Sequence, residues 1–162
     1  MLAKIVTPVS LGALGGMAIA IVTNALIFSL GYGEGGQEVT DREAGPINTL
    51  IFAIVPFVWL FLFAAMGAAI MKIRMATGEF GLGGVLIFVL MLNCALYPIY
   101  TLGFSSSDAG LFGNYATALL AVFIIAWVWP IEKTAALLIV PIPIWVTLAS
   151  IGLYANETGR AF

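Results

Sequence analysis

The chain has 162 residues, of which 62% are hydrophobic and 9% charged, with six basic and eight acidic side chains and a formal net charge of −2. A soluble domain carries roughly 25% charged residues, so these few charges cannot furnish a water-facing surface, and lipid is the expected solvent for most of the chain. There is no basic footprint for nucleic acid; the lack of histidine excludes His-ligated haem or metal and Ser-His or Cys-His nucleophile pairs, and the lone Cys94 excludes an intrachain disulfide or a cysteine metal cluster.

Five runs free of Asp, Glu, Lys and Arg occupy 5–33, 44–71, 80–107, 109–131 and 134–156. Each exceeds the ~20 residues a helix needs to cross about 30 Å of hydrocarbon. None alternates with the period of two of a membrane barrel strand, and backbone in hydrocarbon must find its hydrogen bonds within its own segment. The expectation is an all-α membrane protein: a five-transmembrane-helix bundle, one membrane domain over 1–162. Its spans fall near 7–31, 47–71, 82–104, 112–130 and 134–155, with a polar loop at 32–46. The short later connections predict antiparallel neighbours.

In chain order, the first run is preceded by Lys4 and contains Ala18-Ile19-Ala20, loosely like a secretory cleavage site. It is longer than the 7–15 residue core of a signal, so it reads as a retained span. Gly12 and Gly16 form one GxxxG, a signal for close helix contact. In the second span Trp59, Phe63 and Met66 recur on one face beside Gly67. The glycines at 81–84 read as the entrance to the third span and not as a phosphate loop, since no Lys-Ser/Thr follows. Within that span Asn93, Tyr97 and Tyr100 share a stripe at i, i+4 and i+7. Trp127 and Trp129, near the end of the fourth span, suit an interfacial aromatic belt. In the fifth, Trp145 stands over Ala149 and Gly152 at the same spacing. Pro56, Pro98, Pro141 and Pro143 each remove a helical donor, and bends there would open space between helices.

The stripes admit two readings. Polar and small residues in membrane helices serve interhelical hydrogen bonding and close packing; the same residues would also wall an apolar pocket with a few polar handles. Catalysis is not expected, because acid–base chemistry needs a positioned titratable group and the spans hold only Cys94 and tyrosines. Ion or proton transport is disfavoured by the lack of charge inside the spans. Lys4, Lys72, Arg74 and Lys133 lie on the N-terminal side; Arg42 and Arg160 lie opposite, with Glu34, Glu38, Asp41, Glu43, Asp108 and Glu157. That bias predicts a cytoplasmic N-terminus and an external C-terminus.

The chain resembles the TspO/MBR family, the tryptophan-rich sensory proteins related to the mitochondrial translocator protein. The run from Ala135-Ala136-Leu137-Leu138 through Pro141 to Trp145-Val146 and Ala149 is similar to the family's fifth helix. Leu92-Asn93 followed by Pro98 is similar to its third-helix pattern, and Phe57-Val58-Trp59 with Phe63, Met66 and Gly67 to its second. Together these segments span roughly 50 to 156. The departures are also definite. The family's third-helix tryptophan and serine fall on Leu96 and Tyr97, its fifth-helix tyrosine on Ile142 and asparagine on Leu153, and the second-helix proline is displaced to Pro56. This is the pattern of a remote member.

The resemblance implies a TspO-like bundle that binds a tetrapyrrole or another flat apolar ligand, porphyrin-like or lipid- or sterol-like, held without a covalent cofactor between the second, third and fifth helices. Trp59, Phe63, Asn93, Trp145 and Ala149 are the matched positions, and Tyr97 and Tyr100 join them from the helical stripe. Expected partners are membrane lipid, an apolar small molecule and a second copy of the chain. A different class remains open: an accessory subunit of a larger respiratory or photosynthetic membrane complex, which the short loops and lipid-facing exterior would suit.

Overall fold

The structure is a computed structural model that describes residues 7–31, 46–102 and 107–157, with side chains for 7–31, 54–99 and 108–151. The expected polar loop at 32–46 thus lies outside the described residues, except for Pro46. The described elements are α1 (Pro8–Ser29), α2 (Pro46–Thr77), α3 (Gly81–Leu102), α4 (Ser107–Val128), α5 (Lys133–Ile139) and α6 (Pro141–Glu157). Five segments are long and apolar enough to cross a membrane, with α5 and α6 together making the fifth.

Local chemistry sets the ends. Thr7 caps α1: its hydroxyl accepts from the Ser10 amide at 3.1 Å, the Ser10 hydroxyl accepts from the Thr7 amide at 2.8 Å, and Pro8 follows at the first helical position. The second helix outlasts its apolar run. Lys72 and Arg74 remain helical, and the helix stops only where Gly78 takes a φ of +80° and its amide reaches the Arg74 carbonyl at 2.9 Å. Only glycine adopts that left-handed conformation freely. Glu132 caps α5 by accepting from the Ala135 amide.

The fifth span is broken at Val140. Pro141 has no amide hydrogen for the Leu137 carbonyl, which instead accepts from the Val140 amide at 3.3 Å. The two halves then pack differently: α5 lies against α2 and α4, and α6 mainly against α4.

The sequential helices are neighbours, and α2 is the centre of the bundle, touching α1, α3 and α5. Leu62, Met66 and Ile73 of α2 meet Ile87, Leu90 and Met91 of α3, Ile124 of α4, and Ile139 and Ile142 of the fifth span in one buried cluster. Elsewhere large apolar side chains such as Phe57, Phe112 and Leu119 point outward, the arrangement that lipid requires.

Among the described residues the α1–α2 contact is the most extensive, and it rests on glycine. A Cβ on Gly16 would fall on the carbonyl oxygen of Phe63, and one on Gly67 would fall on the carbonyl oxygen of Gly12. The GxxxG of the first span therefore brings backbone against backbone. Where lipid tails are as apolar as the side chains, such close van der Waals contact is what holds helices together.

Candidate ligand cleft

Beyond the glycine contact, towards the end of α1 that leads to residue 32, the helices part. The second half of α1, the 55–60 stretch of α2 and the end of α3 enclose a half-open apolar cleft of about 560 Å³. That volume falls in the range of small-molecule sites. Ile21 and Phe28 form its α1 wall, Val55, Pro56 and Leu60 its α2 wall, and Pro98 its α3 wall. Trp59 stands between them. Its ring lies 6.2 Å from Phe63 at an interplanar angle of 64° and 6.0 Å from Tyr97 at 38°, edge-to-face and tilted contacts that fix the indole in place.

At its inner end the cleft narrows to a nook of about 30 Å³, lined by Thr23, Asn24, Trp59, Cys94 and Tyr97 among others. This is room for one small polar group. Asn24 donates one amide hydrogen to the Ala20 carbonyl at 2.9 Å, which leaves its second N–H and its amide oxygen for other partners. Pro98 supplies no helical donor to the Cys94 carbonyl, four residues earlier.

A polar ladder runs behind the cleft between α3 and α4. Asn93 donates to the Thr117 hydroxyl at 2.6 Å, and that hydroxyl donates to the Gly113 carbonyl at 2.7 Å. One turn on, the Tyr97 side chain hydrogen-bonds to that of Asn114. Asn114 is 1% exposed, and its amide nitrogen has no geometrically well-formed hydrogen bond among the described residues. A buried unpaired donor costs about 1–3 kcal/mol.

The structure thus brings Trp59, Phe63 and Tyr97 together at the cleft. Asn93 turns to Thr117 on α4. Trp145 is half-buried against the central cluster, on the segment that packs mainly on α4, and neither it nor Ala149 lines the cleft. The side chain of Tyr100 lies outside the described residues. The break at Pro141 explains the separation: it sends the second half of the fifth span away from α2. In place of the fifth span, α1 contributes Ala20, Thr23 and Asn24. The signal for this was an amide side chain, Asn24, within an otherwise apolar first run.

Five spans long and apolar enough to cross a membrane, the first three of which line the cleft, define a multi-pass integral membrane protein in contact with lipid. Its ancestry is also clear. A sequence profile of the TspO/MBR family matches residues 20–156, and the chain belongs to that family, whose members are five-helix membrane bundles. No curated protein and no solved structure was found to match it.

Proposed function

We propose that this chain is a TspO-like binding or sensor protein that takes a flat, mainly apolar ligand of the tetrapyrrole kind and performs no covalent chemistry on it. The observation that carries this reading is the 560 Å³ cleft with Trp59 and Tyr97 in its wall. Aromatic faces give a flat ligand large contact area at small entropic cost. Family membership supports a binding role over catalysis. The seat in this proposal is the cleft of α1, α2 and α3, with Trp59, Phe63 and Tyr97 as its aromatic members. The N-terminus faces the cytoplasm, following the basic residues, and the chains pair as homodimers as family members often do.

The test is titration of the purified protein with a porphyrin, reading the porphyrin's own absorbance. Saturable binding is expected. Replacing Trp59→Leu removes aromatic contact worth ~0.5–1.5 kcal/mol beyond area, a weakening of about two- to tenfold, whereas Trp145→Leu leaves the midpoint unchanged. Binding that never saturates, or that weakens only with Trp145→Leu, would refute the proposal or its placement respectively.

A further inference from the structure

Resting on that reading of the cleft, we infer that the inner nook anchors a hydroxyl group of the ligand, read by Thr23 and Asn24 of α1. The two adjoining spaces divide one molecule between them. The cleft of about 560 Å³ takes the apolar body, and the nook of about 30 Å³ has room for one small polar group but not for a ring. Ala20, Asn24, Trp59 and Tyr97 line both, so a group in the nook is continuous with a body in the cleft.

The polar groups of the nook are the ones in the bundle with capacity left over. Elsewhere the span hydroxyls are tied to their own helices: Thr117 donates to the Gly113 carbonyl at 2.7 Å, Thr147 to the Pro143 carbonyl at 2.7 Å and Ser150 to the Val146 carbonyl at 2.8 Å. Thr23, half-buried in the nook wall, makes no such bond among the described residues. Beside it, Asn24 keeps one N–H and its oxygen after bonding Ala20, and the Trp59 indole N–H also has no partner among the described residues. Thr23 and Asn24 lie six and five positions before the end of α1, about 8 Å inside the span at 1.5 Å per residue, where an unpaired polar group is unfavourable. Donors and acceptors are both present, so the group that completes them must donate and accept. A hydroxyl does both, a ketone or ether only accepts, and a methyl does neither. A site whose polar groups pair with a ligand hydroxyl disfavours the analogue lacking it, because those groups are then left unpaired.

The experiment compares haematoporphyrin dimethyl ester with mesoporphyrin dimethyl ester, which share the ring and both ester groups and differ by a hydroxyl on each of two ethyl side groups. Both are titrated into the detergent-solubilised protein, with partition into protein-free micelles subtracted. The hydroxylated compound is expected to bind about two- to tenfold more tightly, the net effect of one neutral hydrogen bond. Thr23→Val with Asn24→Leu brings that ratio to one or below by weakening the hydroxylated compound, while circular dichroism shows the helices retained. Thr23→Val alone, which removes one oxygen at nearly constant shape and breaks no bond among the described residues, lowers the ratio as well. Equal affinity of the two compounds for the unaltered protein, or a preference that survives these substitutions, overturns the anchor and leaves the binding function standing. Saturable binding of neither compound overturns both.

Discussion

The glycine contact between α1 and α2 makes a definite prediction for two neighbouring residues. Gly15 and Gly16 are adjacent in sequence, yet a Cβ on Gly15 meets nothing within 4 Å, whereas one on Gly16 lands on the Phe63 carbonyl oxygen and 3.3 Å from the Ala64 amide nitrogen. The obstacle is backbone and cannot rotate aside, so α1 must lift from α2. An outward shift of ~1 Å forfeits a quarter to a half of the ~0.1–0.2 kcal/mol held by each contacting atom pair. A contact with as many pairs as one buried leucine, ~40–60, then loses about 1–6 kcal/mol, and partial repacking keeps the cost within the ~1–3 kcal/mol typical of overpacking. The better helix propensity of alanine returns about 0.5–1 kcal/mol. Gly16→Ala should therefore destabilise by about 1–2 kcal/mol, and Gly15→Ala should be neutral or slightly stabilising. Unfolding by SDS titration in mild detergent, followed by circular dichroism, measures both. Equal midpoints for the two variants would show that α1 does not ride on the α2 backbone.

Two further predictions concern interactions within the bundle and at its edge. A double-mutant cycle of Asn93→Leu and Thr117→Val should give a coupling of about 0.6 kcal/mol and not above ~1.7, the range of interhelical hydrogen bonds in membranes; strict additivity would mean the 2.6 Å bond contributes nothing. Glu132→Ala removes the cap from α5 and should cost about 0.5–2 kcal/mol, read as a lowered thermal midpoint in detergent, while Glu132→Asp should retain most of the stability because a shorter carboxylate is also a good cap.

The five spans were legible because hydrocarbon leaves the backbone one option, and uninterrupted apolar length is enough to reveal it. The end of α2 was less so. Hydropathy places the boundary at Lys72, but a helix continues past the lipid as long as its backbone bonds are satisfied, and Gly78, with its positive φ, is what ends it. At the site, Trp59, Phe63 and Tyr97 were identifiable from spacing and resemblance, and the structure brings them together. The α1 wall was not read, although Gly12, Gly16, Ala20 and Asn24 recur every four residues along one face, because hydropathy barely varies around that helix. Nor did the third-helix stripe reveal that it serves two masters. Asn93 and Tyr97 lie one turn apart, and Thr117 and Asn114 lie three residues apart on the antiparallel α4, so the two pairs meet rung by rung. Both patterns are visible in the sequence, but their pairing depends on a helix–helix register that only packing sets.

The glycine contact and the cleft are parts of one arrangement. Gly12, Gly16 and Gly67 pull the first half of α1 onto α2 until the backbones touch. Past Ala20, Ile21 and Phe28 on one side and Pro56 and Trp59 on the other line the open space between the same two helices, and α3 closes its third side with Tyr97 and Pro98. The Gly16–Phe63 backbone contact lies only one turn from Ala20 and Trp59 in the cleft wall, so the contact and the cleft share one frame, and the proposed ligand would meet a preformed site.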